Sequence, residues 1–170
     1  MSALSGALEK RLRQARVARF ATLDGKGRPH LVPICFACDG KVIYTAVDLK
    51  PKRAPPARLA RLRNIRVSPH VALLIDEYRE DWTRLWYVLI RGKARLVPSS
   101  ARDERALALR RLKAKYPQYV RGMLPADAPI IRITADRITA WSSSATLSGI
   151  ARGSSRAPST PARAARREWR

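Results

Sequence analysis

The sequence predicts a mainly β protein, a small antiparallel β-barrel of six to seven strands decorated by two or three helices. Three observations predict it. Short runs of strand formers recur along the first 142 positions: "VARFATL", "HLVPICFA", "KVIYTAV", "VALLID", "RLWYVLI", "IIRIT" and "RITAWS". Tight-turn sequences, "DGKGR" and "CDGK", separate the first three. Apolar residues at helical spacing are confined to a few short stretches between the strands. The chain has 170 residues, 46% of them hydrophobic, which gives one domain a real core despite a net charge of +22.

In chain order, Leu4, Leu8 and Leu12 lie four apart behind Ser5, a cap residue, and predict one short amphipathic helix. The next three strand runs, joined by two short turns, predict an antiparallel meander. Pro55 and Pro56 suit the first turn of a second helix, whose Leu59, Leu62 and Ile65 turn inward while its arginines face out. "VALLID" predicts a buried strand, and "DEYREDW" an acidic loop. "RLWYVLIRGKARLV" predicts one long strand or a pair bent at Gly92. Ser100 and Asp103 form a capping-box pattern for the helix "ARDERALALRRLKAKY", which stops before Pro117. The loop "PQYVRGMLPADAP" leads to two final strands. The domain therefore spans 1–142. Residues 143–170 lack apolar periodicity and carry six Arg against one Glu in the last twenty positions, a flexible basic tail.

Several functions are excluded by what is missing. The longest apolar runs are too short to cross a bilayer, and "MSALSGALEKRLRQAR" has no apolar signal-peptide region, so a cytoplasmic location is expected. Cys35 and Cys38 form a C-x-x-C, but there is no second pair and the only histidines are His30 and His70. Two ordinary strand thiols are expected, and no metal. "GKGRPH" joins two strands and lacks the third glycine of a dinucleotide fingerprint. Asp76, Glu77, Glu80 and Asp81 read as a solvated loop, and Ser142, Ser143 and Ser144 belong to no nucleophile motif. No catalytic residue stands out, so an enzyme built from this chain would draw its reactivity from a cofactor.

One segment asks for a partner. From Lys50 to Arg66 there are seven Lys or Arg residues and no acid. Thr45 in the strand before it can donate a hydroxyl hydrogen bond, and Lys50, Lys52 and Arg53 are suited to phosphate oxygens, with a helix N-terminus following. The same residues also suit a solvated basic loop.

The motif order resembles a known family. A short helix, "ARFATLDGKGRPHLVPICFACDGKVIYTAVDLKPKR", "LARLRNIRVSPHVALLID", "DWTRLWYV" and "ADRITAW" are similar to the pyridoxamine 5'-phosphate oxidase-like proteins over about residues 8–142. These are split-barrel flavin and deazaflavin oxidoreductases, and the last two motifs resemble an actinobacterial branch that uses the deazaflavin coenzyme F420. The resemblance implies a Greek-key, FMN-binding type of split barrel, and a homodimer with cofactors at the subunit interface. It places cofactor contacts on Leu31, Val32 and Pro33, then on Tyr44, Thr45 and Ala46. The phosphate-binding position falls on Lys52, with Lys50 as rival and Arg53 beside them. Arg58 and Arg61 are placed for the acidic tail of the coenzyme, and Trp86 for the ring or substrate pocket of the other subunit. "HLVPIC" replaces the "RxVLLK" of true pyridoxamine phosphate oxidases, and their C-terminal substrate segment is absent, so vitamin B6 is not the expected substrate.

Three readings result. The first is an F420-dependent oxidoreductase passing hydride to or from a small organic substrate. FMN as cofactor in the same fold is the second. The third is a basic nucleic-acid-binding barrel, suggested by a pI near 11.5. Specific nucleic-acid binding is not expected, because aromatics are only 6% and Trp86 and Tyr87 sit in an apolar strand.

Overall fold

The structure, a computed structural model, describes residues 6–40, 42–51 and 58–143. In chain order these form α1 (Gly6–Gln14), β1 (Ala18–Leu23), β2 (Pro29–Ile34), β3 (Ala37–Asp39), β4 (Val42–Ala46), α2 (Ala60–Val67), β5 (His70–Glu77), β6 (Trp86–Leu96), α3 (Arg102–Lys115) and β7 (Ile130–Ser142). The seven strands make one antiparallel sheet in the order β2-β1-β5-β6-β7-β4-β3. Its two edge strands follow one another in sequence. Three residue steps, from Ile34 to Ala37, reach at most about 11 Å, so the sheet must curl until its edges meet. The result is the expected split barrel.

Both hairpins of the predicted meander form, β1 with β2 and β3 with β4, but its middle run is split into two strands. β2 pairs only with β1, while β4 sits at the opposite edge between β3 and β7. The run "HLVPICFA" breaks at Cys35 and Phe36 because a distant side chain takes its backbone groups. The Phe36 N–H donates to the Tyr116 hydroxyl at 2.9 Å, and that oxygen also lies 3.0 Å from the Phe36 carbonyl. The two predicted C-terminal strands are one continuous β7. β6 is likewise continuous, with a register shift between Arg91 and Gly92. A Cβ on Gly92 would stand 2.1 Å from the Thr134 carbonyl oxygen, so only glycine permits this approach. "VALLID" is buried on one face only: Val71, Leu73 and Ile75 point in while Ala72 and Leu74 are half-buried outside.

Two helices, α2 and α3, start later than predicted. α2 begins at Ala60 behind Leu59, which makes no side-chain cap bond. Pro55 and Pro56, like Leu4 and Ser5, lie outside the described residues. α3 begins behind Ala101, again without a side-chain cap, so the Ser100–Asp103 box does not form. Two cores result. The barrel interior holds Phe20, Phe36, Leu73, Ile90 and Ile133, plugged by Leu8 and Leu12 of α1 and by Leu62 and Ile65 of α2. The second core packs Tyr44, Ala46 and Ile130 against Leu112, Tyr116 and Tyr119. Each such buried aliphatic or aromatic side chain contributes about 1.5–3 kcal/mol. Among the described residues no helix is long and apolar enough to cross a membrane.

Candidate functional site

The basic segment leaves β4 at a buried carboxylate. Asp48 has a side chain only 8% exposed, and it accepts from Lys50 Nζ at 2.6 Å and from the Tyr119 hydroxyl at 2.8 Å. Lys50 Nζ also lies 3.4 Å from Cys35 Sγ and 5.8 Å from the centre of the Tyr119 ring, while its side chain remains 56% exposed. Burial works against the Lys50 ammonium, but the bond to Asp48 and the nearby Cys35 sulfur outweigh it, and its pKa lies above the ordinary lysine value. Arg61, on α2, feels the charge of the same carboxylate. Its partial burial lowers its pKa, and Asp48 and Tyr119 oppose that shift. Burial holds the Tyr119 hydroxyl far above the usual phenol range, so it stays a donor to Asp48. Lys50 thus pairs directly with the carboxylate and Arg61 lies within its electrostatic reach, with the exposed Lys50 head able to take a further anion.

The remaining sequence-predicted residues divide into three groups. Lys52 and Arg53 lie outside the described residues. Arg58 is exposed just ahead of α2. Tyr44, Thr45 and Ala46 are all buried, with Tyr44 and Ala46 inside the second core. A ligand beside β4 would therefore meet backbone there, not those side chains. Leu31 and Pro33 are exposed on the outer sheet face, Leu31 at 63%, whereas Val32 turns inward against the barrel core. That outer face continues across neighbouring strands through Ala21, Ala72, Leu74, Leu89 and the stacked pair Tyr87–Trp141, whose ring centres are 5.9 Å apart. This face carries apolar side chains interrupted by the Arg19–Asp76 ion pair and by Arg91 and Arg137.

Trp86 occupies a different place. It is buried at the start of β6, donates from Nε1 to Glu77 at 2.8 Å, and lies beneath the Arg11 guanidinium 5.1 Å from its ring centre. It lines a cleft of about 750 Å³ between α1 and the ends of β1, β5 and β6. The two cysteines are both free and fall in different cores, Cys38 against the barrel interior and Cys35 against the second core. Burial pushes the Cys38 thiol up to about 11. Among the described residues no cluster of three or more His, Cys, Asp or Glu is placed to hold a metal.

With this geometry in place, comparison with known proteins becomes decisive. The pyridoxamine 5'-phosphate oxidase family matches residues 4–142. The chain belongs to this family. A 5a,11a-dehydrotetracycline/5a,11a-dehydrooxytetracycline reductase of Streptomyces rimosus is 30% identical over 98 residues. That match covers 55% of this chain and 64% of the reductase, so the chain spans less than two thirds of that relative. A conserved hypothetical protein of Mycobacterium tuberculosis superposes with a TM-score of 0.66 at 20% identity, covering 91% of this chain and 94% of the other. An FAD-binding protein of Mesorhizobium loti superposes at 0.59 and 20% identity, covering 82% and 94%. The likenesses to solved structures establish a shared fold.

Within this pyridoxamine 5'-phosphate oxidase fold, three residues that complete the geometry were not signalled in the sequence. Asp48 reads as an ordinary residue after a strand, Tyr119 as part of a proline-bounded loop, and Arg11 as the polar face of a short helix. Their partners lie 71 and 75 positions away in sequence, in Tyr119 for Asp48 and Trp86 for Arg11. No local pattern carries such a pairing.

Proposed function

We propose that the protein is a homodimeric oxidoreductase using the deazaflavin coenzyme F420 to transfer hydride to or from a small organic substrate. The observation that carries this reading is the Lys50–Asp48–Tyr119 network at the head of the basic segment, within a chain of the pyridoxamine 5'-phosphate oxidase family. The residues fit an anionic cofactor arm. The exposed Lys50 ammonium, Arg58 and Arg61 run from loop to helix, and a phosphodiester with a carboxylate tail has several anionic groups to spread over them. Lys52 and Arg53 would extend that strip. The similarity to a reductase supports redox chemistry.

The apolar outer face supports the dimer. Leu31, Pro33, Leu74 and Leu89 lie on one surface whose exposure is unusual for an isolated chain. A second copy seated there would leave the cofactor ring between subunits, bordered by Leu31 and Pro33. When bound, the deazaflavin supplies the hydride. This chain's residues hold the anionic arm, orient the ring and exclude water.

A second reading, FMN in the same groove, is favoured by the similarity to an FAD-binding protein. Absorbance and thermal-shift titrations with F420 and FMN, side by side, separate the two. The first reading expects a colourless preparation stabilised by F420. A yellow preparation containing FMN would replace it with the second, and no response to either would overturn both.

A further inference from the structure

The cleft between α1 and the β5–β6 end has a use of its own, independent of which redox cofactor the fold holds. Five arginines and two carboxylates line its 750 Å³, a volume in the range of small-molecule sites. Most of those charges are already engaged. Asp76 is paired with Arg19, and Glu77 with Arg79 and the Trp86 indole. Arg16 donates to the Lys115 carbonyl at 2.6 Å and stacks on Tyr116. Arg11 is different. Its Nη1 is buried and has no hydrogen-bond partner, while its plane covers Trp86. A buried guanidinium N–H without an acceptor is costly, and an acceptor entering the cleft would relieve that cost.

We infer that this cleft binds a small organic carboxylate, with Arg11 as its anchoring guanidinium. A planar carboxylate matches the fork of an arginine. Ala15, Val17 and the edge of Trp86 offer apolar wall for an organic body. Inorganic phosphate has no organic body to set against Ala15, Val17 and Trp86, so in spite of the arginine excess it lacks the apolar contact that an organic carboxylate gains here.

Benzoate and inorganic phosphate are the probes, added separately to the isotope-labelled full chain and followed by amide and indole NMR shifts. Saturable benzoate shifts concentrated at Ala15, Val17 and the Trp86 indole, with phosphate needing clearly higher concentrations, support the assignment. Shifts centred elsewhere, for instance around Lys50, overturn it, as do phosphate shifts at the same residues and equal concentration. Arg11→Met should weaken benzoate by about tenfold or more, and Arg11→Lys by less. Unchanged affinity in Arg11→Met refutes the role of Arg11, and the wild-type mapping stands on its own if either variant does not fold.

Discussion

Replacing Asp48 by alanine tests the network at the head of the basic segment. The substitution strips the acceptor from the Tyr119 hydroxyl, and Tyr119 is only 3% exposed, so no water takes its place freely. A buried donor left without a partner costs about 1–3 kcal/mol. The bond to Lys50 adds about 1 kcal/mol or less, because that side chain is largely in solvent. Arg61, half-buried, also loses the carboxylate that offsets its burial. A total of about 2–4 kcal/mol follows, which for a chain of this size lowers the melting temperature by about 5–10 °C. Asp48→Asn keeps an acceptor oxygen and should lose less. Thermal unfolding followed by circular dichroism is the assay. A drop of about 1 °C or less in Asp48→Ala would refute the network as a structural unit.

Other expectations concern the scaffold. Gly92→Ala drives a Cβ to within 2.1 Å of the Thr134 carbonyl, so β6 and β7 must separate, at about 2–4 kcal/mol in urea unfolding. A loss under about 0.5 kcal/mol would contradict the close approach. Lys115 sits over Phe36 at 3.7 Å, and burial lowers its pKa to about 8. The unfolded chain keeps that proton to about pH 10.5. Unfolding therefore takes up a proton between those values, and stability should rise with pH from about 8. Cys38, held up to about 11, opposes this above about pH 9, so the clearest gain lies between pH 8 and 9 at about 0.5–1 kcal/mol. Lys115→Met should flatten that limb, and an unaltered limb would argue against it. Leu74→Arg, in the middle of the outer sheet face, should convert the proposed dimer to a monomer in sedimentation velocity. A dimer that survives it would place the interface elsewhere.

Legibility followed sequence distance. Leu8 and Leu12 report their own burial through spacing, and Gly92 marks its own bulge, because both signals are local. The split barrel was readable as a class for the same reason. The break in the middle strand of the meander was missed because it falls at Phe36, whose backbone is held by Tyr116, eighty residues later. The absent cap at Ser100 reflects α3 starting one residue later, behind Ala101, a shift that propensity does not resolve. In the site, the cation-rich segment pointed to Lys50, whereas the phenol that fixes its neighbouring carboxylate Asp48 comes from a segment 71 residues away. Thr45 looked available as a donor but is 2% exposed, since alternation in a strand with both faces covered does not tell which side chains reach solvent.

The account rests on the basic segment holding the anionic arm of a deazaflavin. Its most direct test is a fluorescence titration of oxidised F420 into the wild-type protein and into Lys50→Ala at matched ionic strength. Binding at tens of micromolar or tighter is predicted for the wild type, weakened about fivefold by the substitution, the equivalent of one partly exposed ion contact of about 1 kcal/mol. Equal affinities for the two proteins, or no binding by the wild type, would contradict it.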